Sequence, residues 1–137
     1  MPQANVEALF PYTPEVARAK ITGTTTDRSG ATTTNIQLLW TAEAYGDKVS
    51  WIKFKHVGAS TTGNFLLWIT DNAGANPTLI GDQGFTGASL VTGNSTVEYT
   101  YTFDDLELNE GQEIWVACNT LGSNIDVSGQ IGKYQKP

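Results

Sequence analysis

Positive charge is missing from a long central stretch of this chain. No Lys or Arg occurs between Lys55 and Lys133, while nine acids do: Asp71, Asp82, Glu98, Asp104, Asp105, Glu107, Glu110, Glu113 and Asp126. With a net charge of −6, such a chain repels phosphate backbones, which argues against nucleic acid as a partner. The simplest reading of the acids is a solvated face that keeps the protein in solution. Cysteine is also scarce. Cys118 is alone, so there is no internal disulfide framework. It lies in the run Ile114-Trp115-Val116-Ala117-Cys118 and reads as a small buried hydrophobe. No apolar run approaches the roughly 18 residues that a membrane helix needs. Met1-Pro2-Gln3-Ala4 opens no basic and apolar leader. We therefore expect a soluble chain made in a cytosol, with no secretory signal and no membrane partner. Blocks of Leu, Ala, Glu and Lys that would build helices are absent.

What the chain has instead is Thr, Gly, β-branched residues and aromatics, which suit a pleated, half-buried surface. At 137 residues it is one domain with about two thirds of its surface buried. Residues 35–71 read as three consecutive strands. Ile36, Leu38 and Trp40 alternate with Gln37, Leu39 and Thr41. Val49 to Val57 follows, and then Phe65 to Thr70. Period-2 alternation bounded by Gly, Asn and Asp is the strand signature, and short turns make the neighbours antiparallel. Further strands are expected at 17–22, around Leu79-Ile80, and at 95–103, 113–119 and 124–131. Ser95 to Phe103 gives the clearest alternation, Val97, Tyr99, Tyr101 and Phe103 against polar residues. The near-continuous apolar run at 65–70 predicts cover on both faces. The fold class is all-β, an antiparallel β-sandwich or jelly roll of about eight strands with a short N-terminal arm.

Two segments break the pattern. Residues 1–15 carry Pro2, Pro11 and Pro14, which fix φ and remove donors. We therefore divide the chain into an arm, 1–15, and a sandwich, 16–137. Val6, Leu9, Phe10 and Tyr12 are too apolar for a free tail, so the arm is expected either to pack on its own sandwich or to dock on a partner. In the strand at 48–57, Val49 and Trp51 share one parity and Ile52 and Phe54 the other. One buried face cannot hold both sets. Either a bulge lies near Ser50 and Trp51, or Trp51 faces a partner subunit.

Catalytic chemistry is poorly supplied. His56 is the single histidine, it ends a Lys-rich segment expected to be half exposed, and no Gly-x-Ser-x-Gly elbow accompanies it. Asp104, Asp105 and Glu107 could be offered as a glycosidase pair, but acids on a strand edge commonly deter edge pairing. Asp71 to Asn76 lacks the alternating ligands and distal Glu of a calcium loop and reads as a turn. We expect no catalytic set, no metal and no cofactor. Trp40, Trp51, Trp68 and Trp115 could stack on sugars, but each sits in an apolar strand run, which favours core or inter-subunit packing.

Taken together, Leu38-Leu39-Trp40-Thr41-Ala42, Gly46-Asp47-Lys48-Val49, Thr61-Thr62-Gly63, Leu66-Leu67-Trp68-Ile69, Leu106-Glu107-Leu108-Asn109-Glu110-Gly111 and the closing run Ile125 to Tyr134 give a chain that resembles the small β-sandwich virion proteins of tailed bacteriophages. That group includes capsid decoration (cement) and head-fibre proteins. The resemblance spans about residues 17–134. It implies a non-enzymatic virion protein made in the bacterial host cytoplasm and placed on the capsid exterior. It also implies a homotrimer whose partner is the major capsid protein. The arm residues Val6, Leu9, Phe10 and Tyr12 are the expected anchor, and Trp51 the expected subunit contact. The alternative is a carbohydrate- or receptor-binding module of a phage head or tail fibre.

Overall fold

The computed structural model describes residues 12–134. Eight strands follow one another: β1 (Tyr12–Ile21), β2 (Gln37–Thr41), β3 (Asp47–His56), β4 (Gly63–Thr70), β5 (Thr78–Phe85), β6 (Glu98–Leu108), β7 (Glu113–Cys118) and β8 (Ile125–Tyr134). They form two four-stranded antiparallel sheets, ordered β1-β8-β3-β6 and β2-β7-β4-β5. First pairs with last, second with seventh, third with sixth and fourth with fifth. This nesting is an eight-stranded jelly roll, the double Greek key that stacks two sheets face to face.

Alternation explains which side chains meet between the sheets. Val49, Ile52 and Phe54 from β3, Val127 and Ile131 from β8, and Ala17 and Ile21 from β1 point inward from one sheet. Phe65 and Leu67 from β4, with Ile114, Val116 and Cys118 from β7, point inward from the other. Phe65 stacks between Phe54 at 4.9 Å and Phe85 at 4.3 Å. The Tyr101 hydroxyl of β6 donates to the Phe65 carbonyl at 2.9 Å, tying the two sheets together on the β5–β6 side. Gly81 of β5 leaves room for that ring, since a Cβ there would stand 2.7 Å from Tyr101 Cε1.

The expectation of a doubly covered β4 holds. Leu66 and Trp68 point away from the main core and, with Ile36 and Ala117, make a second buried cluster. The β1–β2 connection, residues 22–36, lies over them. Its Arg28 carbonyl accepts from Trp68 Nε1 at 3.0 Å, and Arg28 Nε meets Asp82 at 2.6 Å. This cover delays the strand expected from residue 35. Asn35 takes a positive φ of 63°, which ends the loop and starts β2 only at Gln37. A bulge between Leu38 and Trp40 then turns Leu39 inward and leaves Leu38 exposed, against simple alternation.

Three other boundaries move. β1 begins at Tyr12, so residues 12–15 of the expected arm are sheet, paired with Tyr134, Lys133, Gly132 and Ile131. Pro14 is tolerated because β1 is an edge strand, where a missing donor need not break a ladder. β5 is a full strand from Thr78 to Phe85, although its sequence shows only Leu79 and Ile80 as a signal. β6 runs from Glu98 to Leu108, five residues beyond the strand end expected at Phe103.

The sandwich stands or falls on the aromatic stack. Phe65→Ala removes the ring that both Phe54 and Phe85 contact, and is expected to cost about 3–5 kcal/mol, read as a lowered urea midpoint with an unchanged m-value.

Candidate functional site

The first residues of β1 lie beside the β2–β3 turn. Tyr12 pairs with Tyr134, whose N–H donates to the Gly46 carbonyl at 3.1 Å. Lys133 holds this end together, reaching Glu15 at 2.8 Å and Glu43 at 3.0 Å. Those two carboxylates keep the Lys133 ammonium protonated well above the usual lysine range. Of the four expected arm residues, Tyr12 opens β1, while Val6, Leu9 and Phe10 lie outside the described residues.

All four indoles have an acceptor. Trp40 Nε1 donates to Asp47, Trp51 Nε1 to Gln130 at 3.0 Å, Trp68 Nε1 to the Arg28 carbonyl, and Trp115 Nε1 to Glu113 at 3.0 Å. The parity conflict of β3 has a structural answer. The register shifts between Val49 and Trp51 against both β6 and β8. The bulge puts Val49 and Ile52 inside and Trp51 on the outer face. It accounts for the parity without a subunit contact, which removes the sequence argument for placing Trp51 at one.

His56 is not half exposed as expected. It is fully buried at the end of β3, packed 5.2 Å from Phe85 and 5.6 Å from Phe65. Neither ring nitrogen makes a hydrogen bond of good geometry among the described residues. Burial lowers its pKa, and the carbonyls of Val97 and Leu121 oppose that shift. The segment misled because Lys53 and Lys55 alternate out of the sheet while His56 shares the inward parity of Ile52 and Phe54. Asp104, Asp105 and Glu107 are exposed on edge strand β6. Asp71 to Asn76 is a turn around a single 3-10 turn, Asn72–Gly74, with Asn76 Nδ2 donating to Asp71 at 2.8 Å. Among the described residues no group of three or more His, Cys, Asp and Glu converges.

Two buried acids were not singled out in the sequence. Glu113 is 6% exposed and accepts from Gly74 N at 2.9 Å, Trp115 Nε1, Thr41 Oγ1 at 3.1 Å and Thr70 Oγ1 at 3.5 Å. One carboxylate thereby fastens the 71–76 turn to β2, β4 and β7. A cavity of about 90 Å³ beside it is lined by Gly30, Ile36, Trp68, Ala73, Pro77 and Trp115, among others. Asp47 is fully buried, holds Trp40, and its carboxyl is pushed up by burial.

The open sheet face is the other surface of interest. β1, β8, β3 and β6 align their outward residues in rows across the strands. Val16, Gln130, Trp51 and Thr102 form one row. Arg18, Ser128, Lys53 and Thr100 form the next. Lys20, Asp126, Lys55 and Glu98 form the third. In the third row the charges cancel in pairs, Lys20–Asp126 and Lys55–Glu98, each at 2.7 Å. The middle row has cations and hydroxyls and no acid. The alternation of Lys53 and Lys55 against Ile52 and Phe54 was the signal available in the sequence.

No family model matches the chain, and no curated protein matches it. Among solved structures, the cyanophage Pam1 capsid asymmetric unit is similar over 97% of this chain and 99% of that one, with a TM-score of 0.46 and 18% identity.

Two outcomes test this geometry. Glu113→Ala strands the Gly74 N–H, the Trp115 indole N–H and the Thr41 hydroxyl and is expected to cost at least about 2–3 kcal/mol, with Trp115 fluorescence shifting to the red as the 71–76 turn loosens. For His56 the folded pKa lies below the unfolded value near 6.5. Its contribution is complete above pH 6.5 and is lost as pH falls below it, because the unfolded chain takes the proton first. The slope is at most about 1.4 kcal/mol per pH unit. Chemical denaturation from pH 7.5 down to 5 should show this loss, and His56→Phe should flatten it.

Proposed function

We propose that this chain is a non-enzymatic virion structural protein of a tailed bacteriophage, a decoration protein that binds the outer surface of the capsid shell. The observation that supports the reading best is the division of labour within the chain. The described residues 12–134 build a two-sheet jelly roll with a continuous core, and the apolar Val6, Leu9 and Phe10, which precede its first strand in the sequence, are in this reading the contacts to another surface. The motifs that resemble phage virion sandwich proteins run through that same jelly roll. The buried acids Glu113 and Asp47 hold tryptophans and a turn in place, and His56 packs against the rings of Phe65 and Phe85. These placements serve the framework and not a reaction.

The partner in this reading is the major capsid protein. A ligand that binds the assembled shell but not its dispersed subunits shifts the equilibrium toward the shell. Burying Leu9 and Phe10 contributes roughly 1.5–3 kcal/mol each, against about 1–2 kcal/mol per ordered backbone residue. One arm alone binds weakly. Three arms acting together from a homotrimer reach firm attachment through multivalency.

Imaging of virions with a label on this chain should show copies spread over the shell exterior. Label confined to the tail, or absent from virions, would reject the reading. Deleting residues 2–11, which spares β1, should leave the melting temperature nearly unchanged and abolish recruitment to shells. Light scattering should give about three times the 14.8 kDa chain mass, and a monomer at micromolar concentration would remove the trimer.

A further inference from the structure

Six of the eight basic residues of this acidic chain, Arg18, Lys20, Lys48, Lys53, Lys55 and Lys133, lie on strands of one sheet. Among the described residues its outer face has no covering loop comparable to residues 22–36. Lys20 and Lys55 are neutralised by Asp126 and Glu98. Arg18 and Lys53 make no salt bridge to any described residue; Glu98, the acid that senses Lys53, is already held by Lys55. Arg18 and Lys53 sit on either side of β8 with Ser128 between them, two strand spacings or roughly 10 Å apart. Trp51, Lys53, Thr100 and Thr102 line a shallow depression over the β3–β6 pair. Gln130 accepts from the Trp51 indole at 3.0 Å and so fixes its ring orientation.

From this arrangement we propose that the outer face of the β1-β8-β3-β6 sheet binds an acidic oligosaccharide. Trp51 is the platform for one sugar ring, and Arg18 and Lys53 take carboxylates on the rings beside it. A guanidinium and an ammonium form charge-assisted bonds to carboxylates. The threonine hydroxyls, restricted in χ1, offer both donors and acceptors to sugar hydroxyls. The face suits this ligand better than a protein surface. Its rows contain only two apolar residues, Trp51 and the 59% exposed Val16, whereas a protein interface needs an apolar centre. It also suits a sugar acid better than nucleic acid. Exposed Asp104 and Asp105 bound the face beyond Thr102 and repel a continuously charged phosphate chain. A chain of neutral rings with spaced carboxylates avoids them. This proposal is independent of capsid attachment, since the arm and this face can be tested separately.

The test is calorimetric titration of the full chain with a hyaluronan oligomer, whose carboxylated rings alternate with neutral ones, with a neutral N-acetylglucosamine oligomer and a glutamate oligomer in parallel. The acidic sugar should bind, more weakly as salt rises, and the other two should not. Trp51→Ala should weaken binding about tenfold, as for a truncated aromatic anchor, while Trp51→Phe keeps most of it. Arg18→Ala and Lys53→Ala, on the solvent side of the sheet, should each reduce it by about the same factor through a lost charge-assisted bond; they serve as the readout if Trp51→Ala melts early. No binding of the acidic sugar would overturn the proposal. Equal binding of the glutamate oligomer would also overturn it, since the face would then be a docking surface for acidic protein. So would a Trp51→Ala variant that folds and binds like the parent.

Discussion

The constraint on which the rest of this structure depends is that β4 has no face in water. Phe65 and Leu67 fill the space between the sheets, and Leu66 and Trp68 fill a second layer outside. Leaving two such side chains exposed would forgo roughly 1.5–3 kcal/mol each, so something must cover them. The β1–β2 connection does so, held by Trp68 Nε1 on the Arg28 carbonyl and by the Arg28–Asp82 pair. The 71–76 turn completes the cover from the other side through Glu113. The asymmetry of the molecule follows. One sheet is covered on its outer side over β4 and its neighbour β7, and among the described residues the other presents polar and charged rows toward solvent.

Period-2 patterns carried most of the fold. Runs such as Val49 to His56 and Val97 to Phe103 mark strands because one face of each meets the core, and eight of them in an acidic, Gly-punctuated chain point to a sandwich. The signal faded where both faces or neither are buried. β5 has Gly81 and Gly84 in place of apolar side chains, since the Tyr101 ring needs the space. β1 has Pro14 at an edge where no donor is missed. The 32–36 segment has strand-like threonines, but the cover it must provide for Trp68 takes it out of the sheet.

The site was less legible. The bulge at Ser50 could be inferred from two conflicting apolar parities, and it is there. The burial of His56 could have been inferred from its phase with Ile52 and Phe54, but the neighbouring lysines outweighed that phase. Glu113 is invisible to pattern reading because its four donors come from β2, β4, β7 and a turn, brought together only by the nested pairing. The cationic middle row is equally hidden. Arg18 and Lys53 are far apart in sequence and become neighbours only because β8 returns between β1 and β3.

That return of β8 also sets how the molecule bears load. Residue 12 is the first residue of a ten-residue antiparallel ladder with β8. Tension entering the sandwich from residues before it, directed along β1 away from the body, cannot open the ladder one pair at a time. It loads the whole ladder in shear, and the Glu15–Lys133–Glu43 cluster sits at the end where the strain enters. A tether running through this strand is therefore mechanically stronger than its short length suggests, and it is weak only to a pull across the sheet edge.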